Sequence, residues 1–196
     1  MSKIGPRNPA SVVFEGRLSI SDLLWVANTR HGPAGHWFAR PVTDTGDHDH
    51  MSDSQAAVEY LVAHKVSVPD GAPTAADLRR LRSIRTMVRS LIGTTDGWTA
   101  DVAAIVGSAT YTVNERHELA AIAAGWRGFV NDLIPPLLEI VASRARIRQC
   151  GNPLCRLIFV DESKNHSRRW CDTTGCGNRV RVRRHRELIT RPDGNS

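Results

Sequence analysis

The sequence lacks the features that mark a membrane protein or an exported one. No run of residues approaches the roughly 18 apolar residues that a membrane-spanning helix needs. The opening stretch, MSKIGPRNP, is polar and contains no apolar segment of the kind that a secretory signal carries. We therefore expect a cytoplasmic protein with no membrane partner, in a compartment where thiols stay reduced.

Signatures of common catalytic sites are missing as well. The chain contains no glycine-rich phosphate loop, no nucleophile elbow and no spaced pair of carboxylates that would indicate acid–base catalysis. We therefore expect that the protein is not an enzyme.

The positive charge is confined to the last quarter of the chain. The protein has 196 residues and a net charge of +6, and its 41% of hydrophobic residues are enough for a packed core. Residues 144–196 carry 13 Arg and Lys against 5 Asp and Glu, whereas residues 1–143 carry 13 against 15. We predict two domains, 1–143 and 144–196, and an anionic polymer as the partner of the second one.

All four cysteines of the chain lie in one stretch of 27 residues inside the basic segment. They form two pairs that are close in sequence. Cys150 and Cys155 are separated by Gly-Asn-Pro-Leu, and Cys171 and Cys176 by Asp-Thr-Thr-Gly. This spacing brings four thiolates within reach of one tetrahedral ion. Two disulfides are the alternative, but a reducing compartment favours metal. We predict one structural Zn²⁺, whose four thiolate ligands leave no position for a catalytic water.

The pattern around the cysteines predicts a treble-clef-like zinc finger, in which a knuckle is followed by a β-hairpin and a helix. Residues 157–160 are apolar and strand-forming, residues 161–165 predict a turn, and residues 168–170 are expected to return as the second strand. Cys176 is expected at the N-terminus of the last helix, where the helix dipole favours a thiolate.

The last helix is strongly cationic. Arg179, Arg183 and Arg186 share one face because they lie at i, i+4 and i+7, whereas Val182 and Ile189 are expected on another face, against the hairpin. A merely solvated face is the alternative to a binding surface, but five arginines cluster on this helix with only Glu187 nearby to neutralise them. The predicted DNA contacts are Arg168, Arg169, Arg179, Arg181, Arg183, Arg184 and Arg186.

The rest of the chain predicts a mainly helical domain with a small β-sheet. The longest predicted helix follows a cap at Thr74, buries its leucines and exposes Arg79, Arg80, Arg82 and Arg89. Proline at positions 135 and 136 must kink the last helix of this domain or form its first turn. The predicted helices are 20–28, 54–66, 75–92, 117–124 and 129–142, and the predicted strands, which are expected to pair, are 11–14 and 110–113.

Several of these sequence motifs resemble those of a known protein family. The finger is similar to the CGNR zinc finger of bacterial proteins, through Cys150-Gly-Asn-Pro-x-Cys155, Phe159-x-Asp161, Ser163-x-Asn165, Arg168-Arg-Trp-Cys171 and Cys176-Gly-Asn-Arg179. Asn28-Thr29 and the Leu-Arg-x-Leu-Arg pattern of the long helix are similar to the ABATE domain of putative stress-induced transcription regulators. The resemblance implies a mostly helical N-terminal domain with a small sheet, a zinc finger and a role in DNA binding.

Two further sets of residues suggest sites but have simpler explanations. One set could bind a second metal, although neighbouring residues of a polar loop seldom converge on one ion. The other set could line a small-molecule pocket, although tryptophans are more often part of the core. The two sets are Asp44, Asp47, His48, Asp49 and His50, and Trp25, Trp37, Trp98 and Trp126.

The sequence supports three functional hypotheses. The first is a transcriptional regulator whose finger binds DNA, at the nucleoid when bound, and whose N-terminal domain senses a small-molecule effector or forms a homodimer. The second is an adaptor that binds RNA or protein through the same structural finger. The third is a ligand-binding or enzymatic N-terminal domain with the finger as an accessory.

Overall fold

The computed structural model describes residues 18–32, 48–92, 107, 109–113, 115, 117, 119–142 and 146–189. The predicted strand at 11–14 and its pairing lie outside these residues. The protein is mainly α-helical with small two-stranded sheets, as the sequence predicts. No helix in the described part of the chain is long and apolar enough to cross a membrane.

Three helices form the first part of the core. They are α1 (Ile20–Ala27), α2 (Ser54–Ala63) and α3 (Ala75–Ser90). Helices α1 and α3 each begin with a capping box, built by Ser19 with Asp22 and by Thr74 with Asp77. In each box the hydroxyl and the carboxylate satisfy two backbone donors that the helix leaves unpaired. The caps explain why these helices begin at or close to their predicted first residues.

The second helical part departs from the prediction. Helices α4 (Gly125–Asp132) and α5 (Ile134–Ala142) are separated at Leu133, and the two prolines lie in the first turn of α5. A proline costs little in that turn because its missing N–H would have no helical partner. The prediction of a helix over residues 117–124 is wrong. His117 has a φ of 60° and lies in a turn between strands.

The strands of the described residues form three antiparallel pairs. Strand β3 (Tyr111–Val113) pairs with β4 (Leu119–Ala121), which occupies the segment predicted as helix. The other strands are shorter or lie beside the cysteines. They are β1 (Arg30–His31), which pairs with β2 (His48–Asp49), and β5 (Ile147–Gln149), which pairs with β6 (Ile158–Val160).

One hydrophobic core includes residues from both predicted domains. Leu23, Leu81 and Phe129 are fully buried in it, from helices α1, α3 and α4. Ile147 and Ile158, from the strands that flank the first cysteine pair, belong to the same cluster. The finger is therefore packed against the helices through its own two-stranded sheet.

Asn28 makes the most specific contact between the helices and the finger. Its side chain is buried at the end of α1, where Nδ2 donates to the Ile158 carbonyl at 2.9 Å and Oδ1 accepts from the Ile158 N–H at 2.7 Å. The amide therefore pairs with β6 as a neighbouring strand would. The Tyr60 hydroxyl also donates to the Asn28 carbonyl at 3.0 Å, and this bond fixes the backbone at the end of α1.

We predict that Asn28→Ala lowers the free energy of unfolding by about 2–4 kcal/mol, because one buried donor and one buried acceptor lose their partner. Urea denaturation of the full chain measures the change. Asn165→Ala is the matched control, since Asn165 is exposed in the finger turn. Equal stabilities of the two variants would show that the Asn28 contact does not hold the finger.

Candidate metal centre and nucleic-acid interface

The sulfur atoms of the four cysteines form a compact cluster. All four Sγ atoms lie within 4.8 Å of one another, and Cys171 Sγ is 3.7 Å from the Sγ atoms of both Cys155 and Cys176. A tetrahedron with zinc–sulfur bonds of about 2.3 Å has edges of about 3.8 Å. None of the four cysteines forms a disulfide. The cluster therefore fits one structural Zn²⁺, as the spacing predicts.

The first cysteine pair lies in a backbone knuckle. The Cys150 N–H donates to the Leu157 carbonyl at 2.7 Å, and the Cys155 N–H donates to the Asn152 carbonyl at 2.8 Å. The buried Asn152 side chain accepts from the Leu154 N–H and points its amide toward Cys176 Sγ at 3.7 Å. Asn152 therefore connects the first cysteine pair to the second.

The second cysteine pair is connected by a π-helical turn, Thr173–Gly177, which contains Cys176 and leads directly into α6 (Asn178–Ile189). Asp172 begins the turn, and its carboxylate accepts from the N–H groups of Gly175 and Thr174. These bonds hold the pKa of Asp172 below its ordinary value, first through Gly175 and then through Thr174. Cys176 thus lies just before the helix, as predicted.

Trp170 is the packing centre of the finger. A Cβ atom added to Gly151 would lie 3.1 Å from the Trp170 ring, and one added to Gly177 would lie 3.1 Å from the same ring. Each of these glycines follows a zinc ligand in a Cys-Gly-Asn triplet. The repeated triplet is therefore explained by two knuckles that both pack against one indole.

The hairpin inside the finger differs from the predicted one. Strand β6 pairs with β5, which precedes the first cysteine, whereas the expected second strand at residues 168–170 is not a strand. The buried Asp161 carboxylate holds that segment instead, accepting from the Ser163 and Arg168 N–H groups at 3.1 Å and pairing with Arg148 at 2.8 Å. Burial raises the pKa of Asp161, but these hydrogen bonds and the charge of Arg148 outweigh that effect and lower it.

The crowded thiols differ in their affinity for protons. Hydrogen bonds from Cys155, Cys171 and Cys176 lower the pKa of Cys150, whereas the contact with Cys150 raises the pKa of Cys155. For Cys176 the contact with Cys150 raises the pKa, but Cys155 and Cys171 lower it more, to about 7. A cluster in which some thiols ionise readily favours metal binding, since zinc takes thiolates as ligands.

Helix α6 extends from the metal centre with no buried residue. Val182 is 46% exposed and Ile189 is 68% exposed, so their predicted packing against the hairpin is wrong. A shallow groove runs along this helix and is lined by Val182 together with Arg179, Arg183 and Arg186. One apolar side chain and three predicted DNA-binding arginines therefore share a face.

The other four arginines predicted to contact DNA occupy different positions. Arg181 and Arg184 are exposed on α6, outside that groove. Arg169 is exposed and lies over the Trp170 ring at 5.5 Å. Arg168 is tied to the finger, because its guanidinium donates to the carbonyls of Trp170 and Cys171 and lies 5.1 Å from the Phe159 ring centroid. The DNA contact of all seven arginines stays a prediction.

The weaker candidates have structural explanations where they are described. Asp49 forms an ion pair with Arg85 at 2.6 Å, and the ring of His50 stacks on Tyr60. Within the described ranges, the four cysteines are the single cluster suited to a metal ion. Trp126 is buried beside Phe129, and Trp25 packs on the core. Asp44, Asp47, Trp37 and Trp98 lie outside the described residues.

Two arginines of α3 have roles that the sequence analysis missed. Arg85 is buried, and Arg89, which was expected to be exposed, is half-buried and donates to the carbonyls of Ala27 and Arg30. Arg85 lies four residues after Leu81 and three before Val88. Its place on the apolar stripe of the helix is the signal that could have revealed its burial.

Comparison with known proteins agrees with this geometry. Residues 26–145 match the ABATE family model, described as "Putative stress-induced transcription regulator", and residues 146–187 match the CGNR zinc finger model. No curated protein matches the chain.

We predict that Cys155→Ser removes stoichiometric zinc and lowers the melting temperature, because one ligand of a closed tetrahedral site is lost. Metal analysis of protein purified without chelator measures the first effect. Thr173→Ala should keep one zinc per chain, since Thr173 is exposed in the turn between the last two ligands. Full zinc content in Cys155→Ser would contradict the four-ligand assignment.

We also predict that Gly151→Ala and Gly177→Ala each destabilise the protein by about 1–3 kcal/mol, because the added methyl group presses on Trp170. Thermal denaturation of the zinc-loaded chain measures the loss. A second substitution, Trp170→Leu, should remove most of the added cost of Gly177→Ala but only part of that of Gly151→Ala, whose Cβ would also lie 3.2 Å from the Arg169 carbonyl oxygen. Additive losses in the double variants would show that the glycines are required for another reason.

Proposed function

Since the chain belongs to the ABATE family and carries a CGNR zinc finger, we propose that it is a DNA-binding transcriptional regulator. In this proposal α6 enters the major groove, the zinc centre fixes the direction of α6, and the N-terminal domain controls binding. The protein would act in the cytoplasm, at the nucleoid when it is bound to DNA.

The exposed face of α6 is the observation that carries this proposal. Because α6 buries none of its residues, packing against the protein core contributes little to its stability, and its exposed side chains can contact a partner. Arginine is suited to guanine edges and to phosphates, and an apolar side chain such as Val182 is suited to the thymine methyl group. A major groove about 12 Å wide admits a helix with its side chains.

The arginines outside the groove fit contacts with the DNA backbone. Arg181 and Arg184 lie on α6 but outside the face that Val182 shares, so they could reach phosphates at the edges of the groove. Contacts of this kind position a protein and make its binding dependent on salt. The excess of positive charge in residues 144–196 supports this role.

We propose a structural rather than a catalytic role for the metal. A catalytic zinc site keeps a position for water, whereas the four sulfur atoms here occupy the corners of one tetrahedron. Cys155 and Cys176 are also buried, which limits access for a substrate. These observations support a binding protein rather than an enzyme.

Control by the N-terminal domain is supported by its contacts with the finger. Asn28 pairs with β6, and the Gly32 N–H donates to the carbonyl of the zinc ligand Cys155 at 2.9 Å. A change in the helices would therefore reach the metal centre through short, directional contacts. Such contacts allow an effector with different affinities for two states to change DNA binding.

We predict that the triple variant Arg179→Ala/Arg183→Ala/Arg186→Ala weakens binding to a mixed-sequence DNA duplex. Its salt slope should fall by about 1 for each DNA phosphate that the three arginines neutralise in the parent. Fluorescence anisotropy at several salt concentrations measures both quantities. The full chain is the right sample, because the finger shares its core with the helices.

A charge-matched triple variant provides the control for this experiment. Lys65→Ala/Arg79→Ala/Arg127→Ala removes three exposed positive charges away from the finger and should bind as the parent does. Equal weakening in both variants would mean that net charge, not the α6 face, binds DNA. Tighter binding to a structured RNA than to the duplex would favour the adaptor hypothesis.

A further inference from the structure

A pocket of about 320 Å³ lies where α3 and β1 meet the finger. Arg85, Thr86 and Arg89 line it from α3, and both residues of β1, Arg30 and His31, line it as well. Gln149 and Arg156 close it from the finger, one on each side of the first cysteine pair. Its volume is at the lower end of the range for small-ligand sites.

Four guanidinium groups surround this pocket, and none of the described residues that line it is acidic. The nearby Asp49 carboxylate pairs with Arg85 through two bonds, at 2.6 and 3.1 Å. Burial, and then the charges of Arg85 and Arg30, lower the pKa of Arg89. The charges repel one another, so an anion placed among them would relieve that repulsion.

The pocket is already organised for a ligand. The Arg89 guanidinium is held by the carbonyls of Ala27 at 3.2 Å and Arg30 at 2.9 Å, and Arg85 is held by Asp49. Guanidinium groups in fixed positions lose little conformational entropy when they bind an anion, and their planar donors match carboxylate and phosphate oxygens.

We propose that this pocket binds a small oxyanion, namely a phosphate or carboxylate group of a metabolite, and that it is the effector site of the regulator. The second part rests on the function proposed above. A DNA phosphate does not suit the pocket, because the Arg85 side chain is only 9% exposed and a duplex cannot enter beside it.

The pocket has a direct route to the zinc centre. Arg156 immediately follows the zinc ligand Cys155, and the Arg89 guanidinium lies 3.5 Å from the Arg156 carbonyl. A Cβ atom added to Gly32, the residue after β1, would lie 2.4 Å from the Leu154 carbonyl oxygen, so the backbone at this point packs directly on the knuckle. A ligand that draws Arg156 toward α3 therefore acts on the residue next to a metal ligand.

Isothermal titration calorimetry on the zinc-loaded full chain, without DNA, tests the binding site. The probes are inorganic phosphate, adenosine monophosphate and citrate, which separate free phosphate, a phosphate ester and a carboxylate. We expect at least one probe to bind and Arg30→Gln/Arg156→Gln to weaken it about tenfold or more, since charge-assisted hydrogen bonds are lost. Arg30→Gln alone, a change at an exposed side chain, gives the same test if the double variant does not fold.

Two controls assign the binding to this pocket. Arg79→Gln removes an exposed charge from α3 outside the pocket, and the Arg179→Ala/Arg183→Ala/Arg186→Ala variant removes the α6 face. Both should bind the probe as the parent does. The proposal would be overturned if no probe bound with a Kd below about 10 mM. It would also be overturned if the Arg30→Gln/Arg156→Gln variant, or Arg30→Gln alone where the double variant does not fold, bound the probes as tightly as the parent does. Because no DNA is present, either result leaves the DNA-binding role to its own test.

Discussion

The tetrahedral arrangement of four sulfur atoms is the constraint on which the finger depends. The segment from β5 to α6 has a small apolar cluster of its own, formed around Leu157, Phe159 and Trp170 with the cysteines. Such a cluster is too small to stabilise a segment of about 40 residues without a cross-link such as a bound metal ion. The metal joins two cysteine pairs that 15 residues separate, and Trp170 packs against the glycine that follows a ligand in each pair. Helix α6 owes its direction to the same metal centre, because its first turn follows Cys176.

The finger also depends on the helices, which makes the protein a coupled unit. Ile158 lies in the shared hydrophobic core, and its backbone groups bind the Asn28 amide. The knuckle adds a third connection through Cys155 and Gly32. Hydrophobic contacts alone allow sliding, whereas a pair of hydrogen bonds from one side chain to one backbone residue fixes the register. A small displacement of α1 or β1 would therefore be transmitted to the metal ligands.

The sequence predicted local features well and long-range pairing poorly. Capping at Thr74, an effect of the two prolines on the helix that contains them and the cysteine cluster follow from interactions between residues close in the chain. The partner of β6 does not, since residues 168–170 and 147–149 are both short segments with similar strand signals. The exposure of Val182 could not be predicted either, because an apolar residue on a cationic helix fits a core contact and a partner contact equally.

In the proposed function arginine serves three purposes, which differ in how deeply each side chain is buried. Arg168 satisfies carbonyl groups inside the finger, so its charge is committed to the fold. The arginines of α6 are exposed in a row, where a polyanion gains affinity by releasing counterions along its length. Arg85 is buried and Arg89 is half-buried at a pocket that a long polymer cannot enter, so the ligand proposed there is a small anion. The pocket and the exposed face of α6 would then differ in the size of the anion they accept. Arg156 lines the pocket and follows the zinc ligand Cys155, and the zinc in turn positions α6. Arg156 would therefore connect the two surfaces.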